Sequence, residues 1–106
     1  MDDRVVGLYI LHPNNVGRCG HISNASYAVD PSMSNKGIGS ALVSDSLEVA
    51  ASLGFRIMQF NAVVQNNASA IHLYEKMGFV RIGAVPGGFR SLDGEYRTIL
   101  LFYHEL

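Results

Sequence analysis

Apolar and polar positions follow two periods along this 106-residue chain. Val5-Val6-Gly7-Leu8-Tyr9-Ile10-Leu11 is β-branched, aromatic and aliphatic, and it stops at Pro13-Asn14-Asn15, which predicts a strand entering a loop. Gly17 to Gly20 belongs to that loop. His21 to Val29 reads as a second strand, with Ile22, Tyr27 and Val29 at packing positions, and Asp30-Pro31 ends it. The period then changes. Leu42, Leu47, Ala50 and Leu53 recur at helical spacing and predict a helix over Ser40 to Leu53, stopped by Gly54.

Phe55 to Val64 is apolar almost throughout, which predicts a central strand covered on both faces. Ala68 to Met77 reads as a second helix, closed by Gly78. Phe79 to Ala84 starts another strand, and Pro86-Gly87-Gly88 reads as a loop. Phe89 to Leu92 and Tyr96 to Tyr103 flank Asp93-Gly94, a hairpin turn signal. The order β-β-α-β-α-β-β predicts an α/β fold, a mixed sheet of about five or six strands with two helices.

Composition narrows the class. The length bounds the chain to a single domain over residues 1–106. Hydrophobic residues make up 48% and charged residues 16%, a balance suited to a packed core. The formal net charge of -1 and the scattered cations give no basic face, which argues against nucleic acid as a partner. Cys19 is the single cysteine, so no internal disulfide forms. No apolar run reaches the roughly 18 residues of a membrane span, and Met1-Asp2-Asp3-Arg4 lacks the layout of a secretory signal. A soluble, cytoplasmic protein is the expectation.

Two segments carry candidate chemistry. Ser34-Asn35-Lys36-Gly37-Ile38-Gly39-Ser40 lies between a strand end and a helix start. Glycines there let backbone approach a ligand, and a helix N-terminus offers unpaired N–H groups to a phosphate. Lys36 adds a point charge. A ligand-free strand-to-helix turn explains the same residues. The turn is neither a Walker loop nor the three-glycine dinucleotide fingerprint. Downstream, Asn67 opens the second helix and Tyr74 lies two turns along it. A helix cap accounts for Asn67 without a ligand, and packing accounts for Tyr74.

Taken together, the two segments resemble the GNAT superfamily of acetyl-CoA-dependent N-acetyltransferases. That family carries Arg/Gln-x-x-Gly-x-Gly/Ala at the turn, then Asn-x-x-Ala-x-x-Leu-Tyr-x-x-x-Gly-Phe. This chain has Gly37 and Gly39 in the first motif, and Asn67, Ala70, Leu73, Tyr74, Gly78 and Phe79 in the second. The resemblance extends over nearly the whole chain. It implies a twisted mixed sheet and transfer of an acetyl group to an amine on a small molecule or peptide. It further implies that the backbone around Val29 binds the pantetheine arm and supplies an oxyanion donor. The amides of Ser34, Asn35, Lys36, Gly37, Ile38, Gly39 and Ser40 would hold the pyrophosphate. Asn67 would hydrogen-bond the cofactor, and Tyr74 would protonate the departing thiolate. A phenol of pKa about 10 facing a thiol of about 8.5 does so at a cost of about 2 kcal/mol.

The chain departs from the family pattern twice. Ser34 stands where the family carries Arg or Gln, which removes a long phosphate donor and predicts weaker CoA binding. The family's N-terminal strand-helix-helix-strand is expected to be missing ahead of Val5. That would leave the Val5–Leu11 strand as an apolar edge and predicts a homodimer through it. A CoA-binding module or incomplete subunit without turnover is the alternative function, and a nucleotide-binding α/β domain a third.

Other residues say less. His21 and Asp30 are candidate bases near the expected thioester, with structural or solvated roles as the other reading. His72 is expected on a solvent face with Glu75 and Lys76. His12 and His104 show no ligand spacing, so no metal is expected. Cys19 reads as incidental, and Arg90 and Tyr96 as acceptor contacts or as packing.

Overall fold

The computed structural model describes residues 7–14, 17–29 and 37–106. It contains β1 (Gly7–Pro13), a 3-10 turn (Gly17–Cys19), β2 (Ile22–Val29), α1 (Ile38–Ser52), β3 (Ile57–Val64), α2 (Ala68–Lys76), β4 (Val80–Arg90) and β5 (Tyr96–Glu105). The predicted element order holds, with boundaries shifted by a residue or two except at β4, where the two predicted segments Phe79–Ala84 and Phe89–Leu92 form one strand. The five strands form one sheet in the order β1-β2-β3-β5-β4. β2 and β3 run parallel, joined through α1, and the other neighbours are antiparallel.

Both helices lie on one face of the sheet. Ser23, Ala25 and Tyr27 of β2 point to that face, as do Met58 and Phe60 of β3 and Leu100 and Phe102 of β5. They meet Val43, Ser46, Leu47 and Ala50 of α1, and Ile71, Leu73 and Tyr74 of α2. The helices also touch each other: a Cβ built on Gly39 would lie 3.3 Å from a Leu73 methyl. Phe60 is the node of the layer, 4.5 Å from both Tyr74 and Phe79 and 5.8 Å from Tyr27 between ring centroids.

β3 corrects one expectation. It is central, but its side chains alternate: Met58 and Phe60 are buried, while Ile57 and Gln59 are half-buried and Asn61 is exposed. An apolar run reads as doubly covered, yet among the described residues no helix packs on the second face. The outer strand β1 shows the same pattern, with Leu8 and Ile10 50% and 61% exposed on that face.

A second correction concerns Pro86-Gly87-Gly88. These residues lie within β4 as a bulge, where the pairing with β5 slips between Val85 and Phe89. A Cβ on Gly88 would come within 2.7 Å of the Ile99 side chain, so this close strand approach requires glycine. The Asp93-Gly94 turn follows as predicted, closed by Ser91 N–H to Glu95 O at 2.8 Å.

Candidate active site

β2 and β3 pair only at Ile22–Ile57 and Ser23–Met58, then part. Beside this parting, the register of β3 against β5 shifts between Phe60 and Val63. Such a bulge bends its strand and leaves ladder groups unpaired. Between the parted strands opens a cleft of about 230 Å³, lined by residues 24–27 of β2, residues 60–63 of β3, and Tyr74 of α2. Backbone N–H and C=O groups along a parted strand edge need partners, and an extended ligand can supply them.

Three tyrosines on the helix side differ in what their hydroxyls do. Tyr9 donates to Asp45, whose hydrogen bond raises the Tyr9 pKa to about 12. Ser46 donates to the Val43 carbonyl, so Tyr27 donates to Ser46 at 2.6 Å. Burial is the main reason that the Tyr27 pKa rises to about 12. The Tyr74 pKa also rises, through burial alone, with no hydrogen-bond partner contributing. Tyr74 is therefore half-buried, protonated at neutral pH, and lines the cleft with a hydroxyl that no other described residue hydrogen-bonds.

The two helix starts contrast. α2 is capped: the Asn67 side-chain oxygen accepts from Ala70 N–H at 3.2 Å and from Ser69 Oγ at 3.3 Å. Among the described residues α1 has no side-chain cap; Gly37 precedes it with φ 78°, a conformation that favours glycine. The first intrahelical bond there is Ala41 N–H to Gly37 O, so the N–H groups of Ile38, Gly39 and Ser40 have no helical acceptor. Gly39 also has a packing role, since it admits Leu73.

Of the expected site residues, Gly37, Ile38, Gly39 and Ser40 stand at the α1 start, Asn67 caps α2, and Tyr74 faces the cleft. Val29 lies in β2, paired with Gly7 of β1. Ser34, Asn35 and Lys36 lie outside the described residues, as does Asp30. His21 is not brought to the cleft; it sits at the joined end of β2 and β3, beside Phe55, Arg56 and Glu105. His72, Glu75 and Lys76 are exposed, as expected. His104 packs its ring against Phe79, and Arg90 lies over the Tyr96 ring. Among the described residues no group of three or more His, Cys, Asp and Glu could hold a metal ion, and no helix is long and apolar enough to cross a membrane.

The sequence reading missed Asn24 and Asn61, both of which line the cleft. Their signal was present: Asn is disfavoured in strands, and each sits within one.

The fold and this cleft define an acyltransferase-type architecture, and comparison places the chain within it. The model of the Acetyltransferase (GNAT) family matches residues 1–79, and the chain belongs to that family. The chain is 34% identical over 102 residues to the N-acetyltransferase aca1 of Schizosaccharomyces pombe, covering 94% of this chain and 49% of that protein. It superimposes on a GCN5-related N-acetyltransferase from Kribbella flavida with a TM-score of 0.89 at 35% identity, covering 95% of this chain and 60% of that one. The fold is also that of yncA from Salmonella typhimurium, solved with its cofactor acetyl-CoA, at a TM-score of 0.90, 21% identity, and 98% and 60% coverage. The chain thus spans about half the length of its curated relative.

Proposed function

We propose that this chain carries the cofactor side of an N-acetyltransferase that moves an acetyl group from acetyl-CoA to an amine of a small molecule or peptide. The observation that carries this reading is the Tyr74 hydroxyl, without a hydrogen-bond partner among the described residues, at a cleft where two parallel strands part. The uncapped start of α1, from Gly37 to Ser40, suits a pyrophosphate, and the unpaired edge of β2 toward Val29 suits an extended amide-bearing arm. Ser34, Asn35 and Lys36 precede that helix start and extend the same phosphate site. The Asn67 amide nitrogen is left to donate to the ligand while its oxygen caps α2.

Acetyl-CoA supplies an acyl group on a sulfur that leaves as a thiolate. An amine attacks the acyl carbon; the C–N bond forms, the C–S bond breaks, and the amine's surplus proton passes to solvent. Backbone N–H near Val29 stabilises the oxygen charge. Tyr74 gives its proton to the departing sulfur. Burial makes Tyr74 a weaker acid than a free phenol. Burial beside Phe60 and Val63 in the same cleft also raises the thiol pKa, so the mismatch between the two stays modest.

The test is thiol release from acetyl-CoA with an amine panel, alongside calorimetry of acetyl-CoA binding. Tyr74→Phe is expected to lose about 10²-fold or more in kcat while keeping acetyl-CoA affinity. Its parent should show no alkaline loss attributable to Tyr74 until above pH 10. Unchanged kcat in Tyr74→Phe would remove Tyr74 from the chemistry, and absence of acetyl-CoA binding would remove the whole reading. The proposal includes a cytoplasmic location and a homodimer through the exposed β1 edge. Light scattering showing a monomer at micromolar concentration would sink the dimer.

A further inference from the structure

The face of the sheet opposite the helices carries a row of carboxamides that neither the fold nor the proton donor explains. Gln59 Nε2 donates to Asn61 Oδ1 at 3.0 Å. Asn61 Nδ2 donates to Asn14 Oδ1 at 2.6 Å, and Asn24 Nδ2 donates to the same oxygen at 3.3 Å. The row crosses from β3 to the end of β1 and to β2. Asn24 and Asn61 line the cleft that Tyr74 also lines. By strand alternation they point away from Phe60 and Tyr27, so they form the mouth away from the helices.

A purely structural role fits poorly. Asn14 is already fixed by its backbone, since its N–H donates to Ile22 O at 2.8 Å. Asn is costly in a strand, yet both strands that bound the cleft spend one there. Each carboxamide has one carbonyl and two N–H groups, so the row keeps capacity on both sides after its internal bonds. None of the residues lining the cleft carries a charge at neutral pH.

We propose that Asn14, Asn24, Gln59 and Asn61 form the acceptor subsite, and that they select an amine flanked by a neutral amide. A peptide bond or terminal carboxamide offers a C=O and an N–H, which this array matches in kind. A free amino acid presents a carboxylate, which a neutral array pairs weakly compared with a guanidinium. The inference rests on the acetyltransferase reading, and the two fail separately.

The experiment uses L-alaninamide, the tripeptide Ala-Ala-Ala and free L-alanine as probes, with CoA present. Side-chain N–H resonances of Asn14 and Asn61 in 15N-labelled protein should shift with the first two and stay still with the third. In turnover, Asn61→Leu should raise the KM for alaninamide about tenfold, the worth of roughly one hydrogen bond, with the KM for acetyl-CoA unchanged. Gln59→Leu provides the second variant if Asn61→Leu does not fold by circular dichroism. Equal shifts with free alanine, no shift with any probe, or an unchanged alaninamide KM would overturn the subsite. Loss of acetyl-CoA binding in the unmodified protein would instead overturn the underlying reading. A shift with alaninamide but not with the tripeptide assigns the site to small amides; shifts with both extend it to peptide termini.

Discussion

The two faces of the sheet do different work. The helix-covered face holds Met58, Phe60, Phe79, Leu100 and Phe102, all nearly inaccessible. The opposite face holds half-exposed Leu8, Ile10 and Val80 together with the carboxamide row. Stability is concentrated on the first face, and the second carries the proposed acceptor subsite. The cleft between β2 and β3 runs between them, which is why Tyr74 and Asn61 line one opening from opposite sides.

The sharpest way to break this division is to cut into the covered face. Phe102 is fully buried, and Phe102→Ala should cost about 3–5 kcal/mol in urea denaturation. A cost under 1 kcal/mol would deny that this face holds the core. Next in size, Tyr27→Phe removes a half-buried hydrogen bond to Ser46 and should cost about 1 kcal/mol at pH 7. The same residue sets a pH signature. Its folded pKa of about 12 exceeds the ordinary value of 10, so the folded state prefers the neutral phenol. That contribution is intact below pH 10 and is lost as pH rises through 12. Thermal scans should show Tyr27→Phe losing less stability than the parent over that window.

At about the same scale, Asn67→Ala removes the α2 cap and should cost about 1 kcal/mol. A much larger drop in acetyl-CoA affinity than in stability would add a ligand role to the cap. The smallest effect belongs to the open face: Ile10→Ser should change stability by no more than about 0.5 kcal/mol. A larger, concentration-dependent loss would mean that this face is buried by association.

The period of the apolar residues made most of the fold legible. Leu42 to Leu53 and Ile57 to Val64 become the helix and central strand they resemble. The two misreadings share a cause. Pro86-Gly87-Gly88 has loop chemistry, but whether a glycine pair turns the chain or lets a neighbouring strand approach depends on Ile99, which lies eleven positions beyond Gly88. The burial of β3 depends on what packs against it, which its own residues do not record. At the candidate site, Asn67 and Tyr74 could be singled out from the sequence because they share one helix. The carboxamide row was not, because Asn14 and Asn61 are 47 positions apart and meet only through strand order.

The contact between Gly39 and Leu73 makes the two helices a ruler. Gly39 is the second residue of α1, among the N–H groups that have no helical acceptor, and Leu73 precedes the tyrosine that lines the cleft. With no side chain between them, the spacing from the start of α1 to Tyr74 is set by backbone packed on a methyl group. On the proposed reading a ligand spanning both ends is measured for length, and Gly39→Ala, by pressing on Leu73, would recalibrate the scale from within its phosphate end.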